Sequence, residues 1–184
     1  LRRMGRRYTA GAFRELVEAV RRVVPDIAIT TDVIVGFPGE TEEDFRQTMA
    51  FVEAMRFARV HVFPYSRRKG TPAADMPGQL NPTLKRERCR ALSLLAGQSA
   101  LAFRTQFLGE AVEVLWETQD TAGMWTGLTS HYVRVTARCP ADLHNQLTLV
   151  RVIEATPQGL RGTLVPPANR HRDDRPAGPA SNRQ

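Results

Sequence analysis

From Ile27 to Gly36 the chain reads Ile-Ala-Ile-Thr-Thr-Asp-Val-Ile-Val-Gly and then turns through Phe37-Pro38-Gly39. A β-branched run closed by Gly and Pro predicts a strand over 27–36. Val33-Ile34-Val35 is apolar on both faces, as in a strand of a covered parallel sheet. Before it, Thr9 is a good N-cap, and Phe13, Leu16, Val17, Val20 and Val24 recur at helical spacing up to Pro25, predicting a helix over 10–24. After it, Thr41-Glu42-Glu43-Asp44 has the form of a capping box with Asp in the Glu position, and Phe45, Met49, Val52 and Met55 make a second apolar stripe. Arg59 to Phe63 alternates around Val60 and Val62 and ends at Pro64. Helix–strand–helix–strand with short linkers is the grammar of an α/β fold with a parallel sheet. Two strands cannot bury a sheet. The remaining strands are therefore expected on a segment preceding Leu1 or on a partner, and the chain is expected to be a piece of a longer protein.

Residues 66–82, with three prolines, two glycines and a basic triplet, read as a loop. Asn81-Pro82 then opens a long helix over about 82–106, with Leu84, Leu92, Leu95, Ser99 and Phe103 on its inner face. Beyond Gly109 the period changes to two. Val112, Val114 and Trp116 alternate, followed by Met124–Leu128, His131–Ala137, Leu147–Ala155 and Leu160–Val165. Five short strands separated by turn residues predict a small closed β-barrel of the OB type. From Pro166 the tail holds little that could be buried, and disorder is expected there. The expected division is thus 1–80, a connecting helix 81–106, a barrel 107–165 and a tail 166–184.

Charge is unevenly distributed. The net charge of +7 gathers in two blocks: residues 1–24 carry +5 and residues 67–90 another +5, while 25–66 carry −4. Two basic blocks suit a polyanion, and equally a solvated surface. Two cysteines, Cys89 and Cys139, cannot build a disulfide framework, and a cytoplasmic setting is expected. No run approaches the length of a membrane span. With four histidines, the cysteines show no zinc spacing, so no metal site is expected in the chain itself.

The candidate functional positions lie where the strands end. Gly36-Phe37-Pro38-Gly39-Glu40-Thr41 lets a ligand approach the backbone before a helix N-terminus, although a plain strand-to-helix turn also explains it. It lacks the Gly-Lys-[Ser/Thr] ending of a P-loop. Asp32, near the carboxyl end of the strand, is either at a ligand site or at a solvated sheet rim. The basic triplet Arg67-Arg68-Lys69 follows the second strand and could meet phosphates. On the barrel, Trp125, Tyr132, Arg134 and Arg138 could stack or pair with RNA, with core packing the competing reading for Trp125.

Taken in order, Met4-Gly5-Arg6-Arg7-Tyr8-Thr9, Thr31-Asp32-Val33-Ile34-Val35-Gly36-Phe37-Pro38-Gly39-Glu40-Thr41, and Tyr65-Ser66 with Gly70-Thr71-Pro72-Ala73-Ala74 resemble the second half of the radical-SAM methylthiotransferases. The barrel segment resembles their C-terminal RNA-binding TRAM domain. The resemblance covers about 1–165. It implies the C-terminal part of a radical-SAM, partial TIM-like α/β barrel followed by an OB-like TRAM barrel. It also implies S-adenosylmethionine (SAM) and two 4Fe-4S clusters. One cluster, on a Cys-x-x-x-Cys-x-x-Cys motif, cleaves SAM to a 5′-deoxyadenosyl radical; the other supplies sulfur. None of their six cysteines matches Cys89 or Cys139, so the ligands are expected upstream and no catalytic residue is expected within this chain. By the same resemblance, Ile34 packs the adenine, Gly36 provides backbone clearance, Asp32 makes a polar contact, Phe63 and Tyr65 bring backbone groups to the adenine edge, and Arg6 meets the SAM carboxylate or the substrate. Arg67, Arg68 and Lys69 face tRNA, as do Trp125, Tyr132 and Arg134. The stretch His61 to Thr71 looks most like the branch that methylthiolates C2 of threonylcarbamoyladenosine beside the anticodon. Alternatives are a non-catalytic RNA-binding scaffold and the sister enzymes acting on isopentenyladenosine tRNA or a ribosomal protein.

Overall fold

The computed structural model describes residues 1–166; the expected disorder of the tail lies outside the described residues apart from Pro166. Helix α1 (Ala10–Val23) starts where the Thr9 side chain accepts a hydrogen bond from the Ala12 amide. Strand β1 (Thr30–Val35) is shorter than the 27–36 run, because its ladder with β2 (Arg59–Pro64) begins at Thr30↔Arg59. Strand length follows the partner here, not propensity alone. The two strands are parallel and form a two-stranded sheet.

Helix α2 (Glu42–Met55) opens with the expected capping box. Thr41 Oγ1 accepts from the Asp44 amide at 3.1 Å, and Asp44 Oδ2 accepts from the Thr41 amide at 2.9 Å. These bonds to the Thr41 backbone, then to its hydroxyl, hold the Asp44 carboxyl below the usual range. The sign follows from linkage: a depressed folded-state pKa contributes stability above the unfolded-state value, and that stability is lost as pH falls through the folded one. Asp44→Ala is therefore expected to lower stability by about 0.5–1 kcal/mol near neutral pH. The difference should close on acidification below about pH 4. Urea titrations of both proteins on either side of that pH check it.

Two expectations for the following segment change. Within 66–82, read as a loop, Pro72–Asp75 form a one-turn helix, α3, because Thr71-Pro72 supplies a helix start. The long helix α4 (Pro82–Thr105), capped by Asn81 on the Thr83 amide, buries Arg88, Leu92, Ala96 and Ala100 along one line. Leu84, Leu95, Ser99 and Phe103 flank that line half-buried.

Helices α1, α2 and α4 all bear on the same side of the sheet. Their Val17, Phe45, Val52, Met55 and Leu92 bury Val35 and Phe57, with Val33, Val60 and Val62 packed beside them. Among the described residues nothing covers the other side: Asp32 pairs with His61 and Ile34 with Phe63, and Ile34 and Phe63 are 43% and 49% exposed. Among the described residues the Val33-Ile34-Val35 run is covered on one face, since two strands and three helices cover one side of a sheet.

The barrel comprises β3 (Ala111–Gln119), β4 (Met124–Thr129), β5 (Arg134–Arg138), β6 (Leu147–Ala155) and β7 (Leu160–Leu164), closed in the order β3-β4-β5-β7-β6. The strand expected from His131 starts at Arg134, since Ser130–Val133 form a turn held by Thr129: its carbonyl accepts from the Tyr132 amide and its hydroxyl from the Val133 amide. Val114, Trp116, Val135, Val150, Val152 and Leu160 fill the interior. At Gly127 a Cβ would run into the Leu115 backbone, so only glycine lets β3 and β4 approach there. Among the described residues no helix is long and apolar enough to cross a membrane.

Helix α4 joins the two parts and runs antiparallel to β1 and β2. Its first turns touch the residues that follow the strand ends: Arg88 bonds Glu40 and Lys85 bonds Tyr65. Arg104, near its other end, lies beside Arg59 at the start of β2 and donates to the Thr156 carbonyl of the barrel at 3.0 Å. Burial, and then the Arg59 charge, push the Arg104 guanidinium below its ordinary value.

Candidate cofactor wall and nucleic-acid interface

In parallel α/β sheets ligands meet the carboxyl ends of the strands. Here β1 ends at Val35 and Gly36 takes φ +74°, a left-handed conformation that favours glycine. The Gly36 amide donates to Glu40 Oε2 at 2.9 Å, which closes the turn. The other carboxylate oxygen, Oε1, accepts from Arg88 Nη1 at 2.7 Å, and Arg88 also donates to the Glu40 carbonyl (3.1 Å) and to Glu42 Oε2 (2.9 Å). Burial works against the Arg88 charge, but hydrogen bonds and charges from Glu40 and Glu42 outweigh it and hold the guanidinium above its ordinary value. Arg3 Nη1 donates to the Pro38 carbonyl at 2.7 Å, and the Gly39 amide to the Gly78 carbonyl at 2.7 Å.

The β2 end is held to the same place. The Tyr65 amide donates to the Val35 carbonyl at 2.8 Å, and Lys85 Nζ donates to the Tyr65 carbonyl at 3.1 Å. The Tyr65 ring meets Phe37 edge-on at 5.4 Å between centroids, and its hydroxyl is buried without a hydrogen-bond partner among the described residues.

Against these positions the expected site residues divide. Asp32, Ile34 and Phe63 share the open face, with the His61 ring stacked on Phe63 at 6.4 Å. The space beside Gly36 is taken by the Lys85 stem: a Cβ would collide with Lys85 Cγ and lie 2.8 Å from Cδ. The Cβ side of Gly36 thus faces a helix side chain. Arg6 is exposed, and it is Arg3 that reaches the turn.

On the RNA side, Arg67, Arg68 and Lys69 are exposed, with Arg67 3.9 Å from an exposed Asp75. Tyr132 is 86% exposed at φ +56°, and Arg134 is exposed beside it. Trp125 is a correction: it is 4% exposed in the barrel core, with Nε1 donating to the Ala141 carbonyl at 3.1 Å, so neither ring face is free for a base. The two surviving groups are not brought together. Residues 67–69 follow the carboxyl end of β2, whereas the Tyr132 turn lies near the amino end of β1, where His131 Nε2 is 3.3 Å from Asp26 Oδ2. The 24-residue helix α4 runs between those ends, a length of about 36 Å.

Among the described residues no group of three or more ligating side chains could hold a metal ion. Cys89 packs against the sheet with its Sγ 3.9 Å from the Val62 carbonyl, and Cys139 borders the barrel core. These residues do not fit an iron–sulfur cluster. The open face carries apolar Ile34 and Phe63 near the carboxyl ends of the strands, with Asp32 two residues before Ile34.

The network around Arg88 escaped sequence reasoning. Arg88 and Glu40 are 48 positions apart, and arginine is rarely fully buried. A Lys-x-x-Arg pair facing a strand-end turn has no signature in one sequence.

Residues 1–52 match the radical SAM superfamily. An open-faced parallel sheet with that match makes the first part of the chain a portion of a radical-SAM α/β domain. The relatives narrow this. Threonylcarbamoyladenosine tRNA methylthiotransferase MtaB of Bacillus subtilis is 36% identical over 159 residues, 84% of this chain and 35% of that protein. The tRNA-2-methylthio-N(6)-dimethylallyladenosine synthase of Chloroflexus aurantiacus is 41% identical over 166 residues, 88% and 35%. The MtaB of Thermotoga maritima is 41% identical over 134 residues, 73% and 31%. The chain belongs to the radical-SAM methylthiotransferase family, of which it carries the C-terminal part, and its five-stranded barrel is consistent with a TRAM domain. It spans about a third of the length of the curated relatives it matches.

Proposed function

We propose that this chain supplies the nucleoside wall and the RNA-facing surface of a tRNA methylthiotransferase that modifies C2 of N6-threonylcarbamoyladenosine next to the anticodon. The observation that carries it is the open sheet face: two large apolar side chains, Ile34 and Phe63, are adjacent in register near the carboxyl ends of two parallel strands, with Asp32 two residues before Ile34 on the same face. On this reading Ile34 and Phe63 pack against the adenine and exclude water, Asp32 accepts from a ribose hydroxyl, and backbone groups from Phe63 to Tyr65 read the adenine edge. SAM, bound at a 4Fe-4S cluster with ligands outside this chain, supplies the radical that opens the reaction. Arg67, Arg68 and Lys69 bind tRNA phosphates, and Tyr132 with Arg134 forms a second contact on the barrel. The proposed partners are therefore SAM, tRNA and the rest of the same protein.

The threonylcarbamoyladenosine branch rests on the His61–Thr71 stretch. Similar identity to dimethylallyladenosine synthases supports a second reading, the isopentenyladenosine branch. Nucleoside mass spectrometry of tRNA from a deletion strain decides. Loss of the methylthio group from threonylcarbamoyladenosine is expected. Loss from isopentenyladenosine instead moves the protein to the other branch, and an unchanged nucleoside profile rejects tRNA modification.

A further inference from the structure

We propose that Arg88 and Lys85 of α4 are positioning residues for the cofactor wall, fixing both strand ends from one helix; this rests on the SAM-binding reading above. Arg88 is 4% exposed within an otherwise apolar packing line. Both Nη atoms are bonded while Nε is buried without a partner among the described residues, and a well-packed apolar side chain commonly serves stability as well or better. Stability alone therefore gives no reason for a cation at this position, and what it holds is the turn after β1. Its fork spans Glu40 and Glu42, and Glu40 passes the constraint to the Gly36 amide, two residues beyond Ile34.

Lys85, nearly one turn earlier on the same helix, secures the other strand. Its Nζ bonds the Tyr65 carbonyl, two residues beyond Phe63, and lies 5.6 Å from the centre of the Tyr65 ring. Its stem fills the space beside Gly36. One helix therefore ties down the backbone just past Ile34 and just past Phe63, the two side chains of the open face. Both cations bond to backbone and carboxylate groups at the strand ends, so they act through the wall.

Small displacements of a binding wall are costly in orientation-dependent chemistry. The test uses the full-length protein with its clusters reconstituted, and compares Arg88→Met, Arg88→Lys and Lys85→Met with wild type. Equilibrium dialysis with SAM gives the dissociation constant, filter binding gives tRNA affinity, and steady-state assays give KM for SAM and kcat. Arg88→Met and Lys85→Met should each raise the SAM dissociation constant and KM by about tenfold, with kcat changed less. Arg88→Lys should recover part of the loss, and tRNA affinity should stay within twofold. Wild-type SAM affinity in both Met variants overturns the positioning role and leaves the functional reading standing. An equal loss of SAM and tRNA binding also overturns it, as a general structural defect. Wild type that binds no SAM removes the functional reading itself, and the inference with it. If Arg88→Met does not fold, Lys85→Met, at a half-buried position, decides alone.

Discussion

Replacing Arg67, Arg68 and Lys69 together by glutamine should weaken tRNA binding by about a hundredfold at 0.1 M salt. The three side chains stand exposed on the loop that leaves β2. Each phosphate contact releases condensed counterions, so the logarithm of affinity changes by about 0.7 per contact for each decade of salt on single-stranded nucleic acid. Three lost contacts flatten the salt dependence by about two units, which gives the hundredfold figure. The Arg67–Asp75 pair at 3.9 Å is exposed and contributes little to the loop. The fold should therefore be unaffected, and a thermal melt of the variant should overlay the wild type. Filter binding of the full-length protein across a salt series reads both quantities. Parallel salt curves for variant and wild type would place the tRNA elsewhere on the molecule.

Trp116→Ala should destabilise the barrel by about 3–5 kcal/mol. Trp116 is fully buried at the barrel centre, and its Nε1 donates to Thr148 Oγ1 at 2.7 Å across the β3–β6 pair. Truncation removes one of the two tryptophans of the interior and leaves a hydroxyl without its donor. Neighbours such as Val114, Val150 and Val152 are locked in closed strands and cannot collapse into the space. Marginal stability makes such a loss enough to unfold many small domains. Denaturant titration followed by barrel circular dichroism measures it. A change below about 1 kcal/mol would mean that the barrel repacks around the gap.

Much of the architecture was legible because its signals are local. The Thr41–Asp44 cap, the period-two run around Val114 and Trp116, and the Asn81-Pro82 helix start lie within a few residues of what they specify. The phase of β4 was not. Met124-Trp125-Thr126-Gly127-Leu128 is apolar in both registers, and only barrel closure turned Trp125 inward. The sequence resemblance pointed to Arg6; the path of the N-terminal segment brings Arg3 instead to the Pro38 carbonyl.

From residue order alone one can derive the helix–strand–helix–strand unit, the closed barrel that follows, and the Gly36–Gly39 turn after the first strand, since propensity, periodicity and turn chemistry act over short range. Tertiary structure alone decided that Ile34 and Phe63 share an uncovered face, that Lys85 occupies the space beside Gly36, and that a buried arginine braces Glu40 from 48 residues away. Such contacts depend on where distant backbone segments come to rest, and nothing in the residues flanking either partner records that distance.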